Sequence, residues 1–138
     1  MADFKLSGGC QCGAVRYTIH EPVRQTVHCH CSMCRKVHGA LFVTISTISK
    51  DQFTIDKGAD SIATFKSTAN LGRKFCKTCG GHLFEEGAEE PNLVYFTTGT
   101  LDGGAHPGHP DDKLYHIFVG SKVPWYEITD DLPQREKF

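Results

Sequence analysis

The chain has 138 residues, 39% of them hydrophobic, with 15 Lys and Arg set against 16 Asp and Glu for a formal net charge of −1. That length fits one domain with one core, and the charge balance leaves no basic footprint for nucleic acid or a membrane surface. No apolar stretch approaches a bilayer span, and "MADFKLSGGC" lacks the apolar region of a signal peptide, so a cytoplasmic location is expected.

In chain order, short runs rich in β-branched and aromatic residues predict strands over 14–19, 40–47, 61–67, 73–76, 82–86, 92–98 and 114–119. Between the first two, "SMCRKVHG" is the one helix-like segment, with Ser32 as N-cap and Gly39 as stop. Residues 101–113, "LDGGAHPGHPDDK", form a Gly/Pro/Asp loop long enough to be a lid or rim. The tail after Trp125 is polar and reads as irregular. No repeat or linker divides the chain. The expected fold is mainly β: a single, small, mainly antiparallel domain over residues 1–138, with its core at about 6–128.

Seven cysteines are the chain's most informative feature. The number is odd, and a chain without a secretion signal is expected in a reducing compartment, so metal binding is favoured over disulfides. Cys10 and Cys12 form "GGCQCGAV", and Cys76 and Cys79 form "FCKTCGG". On extended backbone, residues i and i+2 share a face, so both sulfurs of a C-x-C pair can meet one ion. The C-x-x-C turn folds round a metal, and Gly80 can supply the positive φ such turns need. Together the two pairs offer four thiolates, a closed tetrahedral zinc site.

Cys29, Cys31 and Cys34, in "VHCHCSMCRK", stand apart with three sulfurs. Three protein ligands and one open position are the arrangement of a catalytic zinc. His28, His30 or His38 could instead close the site, with His38 the best placed, one turn beyond Cys34. An iron–sulfur cluster is a further alternative. Three thiolates make zinc a mild Lewis acid that suits a thiol substrate better than water.

The segments "GGCQCGAVRY", "CHCSMCRKVHGALF", "FCKTCGGHLF", "TGTLD" and "HIFVGSKVPWYEITDDLPQ" occur in that order. They resemble the glutathione-dependent formaldehyde-activating enzyme family, which shares its domain with centromere protein V. The resemblance runs from about residue 6 to 135 and takes in all seven cysteines. It implies a zinc-stapled β-tent fold, a structural zinc on Cys10, Cys12, Cys76 and Cys79, and a second, catalytic-type zinc on Cys29, Cys31 and Cys34. It also implies carbon–sulfur lyase activity that forms or cleaves S-hydroxymethylglutathione. The expected protein is therefore a lyase with two zinc ions per chain acting on glutathione or a glutathione adduct, with neither nucleic acid nor membrane as partner. The alternatives are a non-catalytic zinc scaffold or thiol sensor, and a lyase or hydrolase acting on another thiol adduct.

Other residues carry two readings each. Arg35 and Lys36, like Arg73 and Lys74, could meet substrate carboxylates or be solvated. His116 could be an acid or base or a satisfied strand histidine. Lys122 and Trp125 match a family motif, and the Trp125 ring could wall the pocket or simply pack. His106 and His109 read as solvent residues, and Asp102 as a turn former.

Overall fold

The computed structural model describes residues 4–138. In chain order these residues form β1 (Leu6–Gly9), β2 (Arg16–Ile19), β3 (Gln25–Cys29), α1 (Ser32–His38), β4 (Val43–Ser49) and β5 (Phe53–Lys57). β6 (Ile62–Thr68), β7 (Leu71–Cys76), β8 (His82–Gly87), β9 (Leu93–Thr97) and β10 (Leu114–Ile117) follow, with short 3-10 turns between some of them. A three-stranded sheet runs β1-β2-β5, and a seven-stranded sheet runs β10-β3-β4-β9-β8-β7-β6.

Period-two alternation gives the large sheet two different faces. From one face Ile48, Val94 and Phe96 join Val15, Tyr17 and Ile19 in a core that packs the two sheets together. Tyr17 stacks on Phe53 at 4.8 Å between ring centroids and lies 5.8 Å from Phe96. Each such aromatic or aliphatic side chain contributes roughly 1.5–3 kcal/mol when fully buried. From the other face Val27, Cys29, Val43, Ile45, Tyr115 and Ile117 form a second apolar cluster, which α1 reaches through Cys34. The register puts these residues side by side: Tyr115 opposite Val27, Val27 opposite Ile45, and Cys29 between Ile117 and Val43.

The seven expected strands are all present with shifted ends, and three more form that the sequence did not predict: β1, β3 and β5. The fold is mainly β with one α-helix, but the pairing is not wholly antiparallel, because β10 lies parallel to β3. Helix α1 ends at Gly39, which takes the expected left-handed conformation. Its N-cap is Cys31, not Ser32: Cys31 has extended backbone, no side chain caps the helix, and its carbonyl accepts from Arg35 N at 2.9 Å. The tail is irregular yet docked. His116 N donates to Pro133 O, and Arg135 N donates to His116 O, each at 2.9 Å. Among the described residues no helix is long and apolar enough to cross a membrane.

Candidate metal centre and thiol cavity

The Cys10, Cys12, Cys76 and Cys79 sulfurs all lie within 4.8 Å of one another. The local folding that brings them together is simple. The chain turns between β1 and β2, where Gly13 N donates to Cys10 O. It turns again between β7 and β8, where Gly80 sits at φ 78° and donates to Cys76 O at 2.7 Å. Cys10 and Cys12 sulfurs are 3.7 Å apart, and Cys12 and Cys76 sulfurs 3.8 Å. A tetrahedron of zinc–sulfur bonds of about 2.3 Å has sulfur–sulfur edges of about 3.8 Å, so the spacing fits that ion. Backbone N–H groups point at the sulfurs as they would at thiolates: Val15 N to Cys10 at 3.2 Å, and Thr78 N to Cys76 at 3.4 Å. Backbone N–H groups of Cys12 and Gly81 hold the Cys79 thiol down to about 6. The four cysteines can therefore hold one metal ion.

The remaining three cysteines line a separate cavity of about 760 Å³ on the second face of the large sheet. Cys29 ends β3 and Cys34 lies in α1; both are buried, with sulfurs 3.5 Å apart. Cys31, half-buried, completes the motif in the same wall. Among the described residues these three do not form a second group as compact as the four-thiol cluster.

Beside Cys34 lies Arg73, 1% exposed. Its guanidinium donates to Cys34 Sγ at 3.6 Å and to Glu85 Oε2 at 3.4 Å. The hydrogen bond from Cys29, helped by Arg73, brings the Cys34 thiol down to about 6, while that shared proton and burial push Cys29 up. Burial raises the Glu85 carboxyl to about 7 against the pull of Arg73. The pocket thus pairs an acidic thiol with a carboxyl able to exchange a proton near neutrality.

The sequence leaves two roles open for Arg73 and does not mark Glu85 as functional. Its only signal is an acidic residue inside a run of strand-formers, which does not reveal that it faces Arg73 across β7 and β8.

The histidines take other places. His28 Nδ1 bonds Thr44 Oγ1 at 2.8 Å. Fully buried His30 bonds His116 at 2.9 Å, and His116 reaches the Asp130 carboxylate at 3.0 Å. His38 lies on a different cavity and packs against His82 at 4.8 Å. Arg35, Lys36, His116 and Trp125 are not among the walls of the thiol cavity. Trp125 is 74% exposed, so it neither walls that pocket nor packs. Lys74 bonds Thr64 at 2.8 Å, and Lys122 bonds Val123 O at 3.0 Å. His106 is exposed and His109 half-buried, their rings 4.3 Å apart. Asp102 opens a 3-10 turn and also pairs with Arg16.

Two sheets joined by a four-thiol cluster, with a second thiol cavity on the free face, define a cysteine-rich β protein equipped to bind metal. The chain belongs to the glutathione-dependent formaldehyde-activating enzyme family, whose model matches residues 5–121. A protein of Pyrenophora teres f. teres, provisionally named as such an enzyme, is 29% identical over 128 aligned positions, covering 78% of this chain and 67% of its own. One of Halomonas elongata with the same provisional name is 27% identical, covering 89% and 80%. The crystal structure of a Rhodobacter sphaeroides protein superposes with a TM-score of 0.59 over 74% of this chain and 92% of its own, at 23% identity. That last likeness concerns the fold.

Proposed function

We propose that this chain is a carbon–sulfur lyase that forms or cleaves a glutathione–aldehyde adduct such as S-hydroxymethylglutathione. The observation that carries the reading is the gathering of Cys29, Cys31 and Cys34 in the wall of one cavity, two of their sulfurs 3.5 Å apart. The family name supplies glutathione and formaldehyde. The metal is zinc, two ions per chain, in a β-tent domain spanning residues 1–138 with its core at about 6–128, and the location is cytoplasmic. Cys10, Cys12, Cys76 and Cys79 hold the structural ion; Cys29, Cys31 and Cys34 hold the second. Bound there, zinc would keep a substrate thiol in its nucleophilic thiolate form.

The chain's own residues do the rest. Arg73 offsets negative charge at Cys34 and fixes the Glu85 carboxyl. In the forward direction the thiol sulfur bonds to the aldehyde carbon, the carbonyl π pair moves to oxygen, and the thiol's proton ends on that oxygen. Glu85, with a carboxyl near 7, is the group in the cavity suited to hand that proton over. Cleavage runs the same steps backwards.

Purified protein is to be assayed for metal content and for glutathione–formaldehyde adduct formation, beside Cys31→Ser. The expected result is about two zinc ions in the parent, and a variant that keeps its fold but loses activity and one ion. One observation favours the second reading, a scaffold or thiol sensor: the three thiols are less compact than the four. Inactive parent protein holding a single ion after zinc is supplied would select that reading.

A further inference from the structure

The thiol cavity is larger and more apolar than a one-carbon aldehyde requires. Beyond the cysteines its apolar lining includes Val27, Ile45, Leu93, Tyr95, Ile117 and Phe118, from β3, β4, β9 and β10 and the residue that follows it. Val27, Ile45 and Ile117 belong to the apolar cluster that contains Cys29 and Cys34, so these sulfurs adjoin that surface directly. Glutathione itself does not account for the surface. It carries two carboxylates and an ammonium, and charged groups belong where partners or water can meet them. The cavity offers Arg24, Glu89 and Glu90 for that purpose, with Gln25, Thr47 and Asn70 as hydrogen-bonding neighbours, while Arg73 is already engaged by Glu85 and Cys34. Formaldehyde, with one carbon, leaves the apolar wall without an occupant.

We propose that this wall receives the carbon chain of the aldehyde, so that the preferred substrate is a glutathione adduct of an apolar aldehyde several carbons long. The inference rests on the lyase reading for its thiol but not for its apolar half. The covalent step is unchanged: the S–C bond forms, the carbonyl pair goes to oxygen, and the thiol proton follows. A hydrocarbon chain on the carbonyl carbon then extends from the thiols over Val27, Ile45 and Ile117.

The test is binding, separated from turnover. S-hexylglutathione and S-methylglutathione, stable thioethers of the same tripeptide, are titrated into the protein as purified by calorimetry. Burying two of the additional methylenes tightens binding about fifteenfold, at ~0.8 kcal/mol each. The hexyl compound is expected to bind tighter by that factor or more, with a negative heat-capacity change. Ile45→Phe fills the wall and is expected to lower the hexyl-to-methyl ratio. Because a larger side chain at a buried site can strain β4, half-buried Leu93→Trp is measured beside it.

Equal binding of the two compounds, or a ratio unmoved in both variants, overturns the proposal. In the enzymatic arm, glutathione is paired with aldehydes from acetaldehyde to hexanal, each rate divided by its uncatalysed rate. A rise with chain length supports the proposal, and a flat or falling series overturns it. Preferential hexyl binding with no turnover of any aldehyde keeps the apolar site and removes the lyase reading.

Discussion

The four-thiol cluster ties Cys12 to Cys76, 64 residues apart in sequence, and breaking that tie is the sharpest test of its role. Closing a loop of that length removes chain entropy from the unfolded state worth about 4 kcal/mol at 25 °C. A chain of 138 residues unfolds with an entropy of about 290 cal/mol/K near its midpoint, at ~2.1 per residue. Losing the tie should therefore lower Tm by about 14 °C. Cys76→Ser makes the break at a fully buried sulfur, where lost packing also costs stability. Cys12→Ser separates the two causes, because Cys12 is exposed and has little packing to lose. Thermal unfolding followed by circular dichroism, with metal content measured on the same samples, should show both variants losing metal and melting within a few degrees of each other. If Cys12→Ser keeps its metal and melts within about 2 °C of the parent, as an ordinary surface change would, the cluster is not a staple.

Glu85 gives a prediction with a definite sign. Its folded-state carboxyl stands near 7, above the usual 4.5, so between those values the folded chain holds more protons than the unfolded one. Glu85's own contribution to stability should then fall as pH rises from about 4.5 to 7, while His30 and His38, held down to about 4 by burial, contribute in the opposite sense, so the Tm of Glu85→Gln minus that of the parent should rise across the window. A difference between the two that stays flat across the window would contradict the burial argument. For Arg73, Arg73→Met should raise the Cys34 thiol from about 6 and slow its alkylation by iodoacetamide several-fold in metal-free protein at pH 7, read by mass spectrometry. An unchanged rate would assign the acidity to Cys29 alone.

The four-thiol cluster was legible because its spacing is local twice over: a C-x-C pair and a C-x-x-C turn each fix their own geometry, and four sulfurs then have one common destination. Gly39 and Gly80 were legible for the same reason, since each answers a local turn. β3 was not, because "QTVHC" mixes polar, apolar and cysteine residues and becomes a strand only between β4 and β10. β1, "LSGG", carries two glycines, and its ladder with β2 is what holds it extended. The Arg73–Glu85 pair and the His30–His116–Asp130 chain also escaped. Their partners are 12, 86 and 14 residues apart, and only strand register or the docked tail brings them together. Cys31 displaced Ser32 from the helix cap because the chain leaves β3 still extended at that point.

The parallel ladder between β3 and β10 bears on how the chain acquires its site. β10 begins at Leu114, and its partner ends at Cys29, so the strand that flanks the cavity emerges from the ribosome long after the strand it completes. Until then β3 has β4 on one side and an open row of hydrogen-bonding groups on the other, the kind of edge that recruits foreign strands. Pairing over such separations is slow to form. Metal capture at the four-thiol cluster would need residues only up to Cys79, so such a staple could close first and hold the nascent sheet while that edge waits. A shortage of that metal during synthesis would then show first as aggregation of new chains, and only later as changes in finished ones.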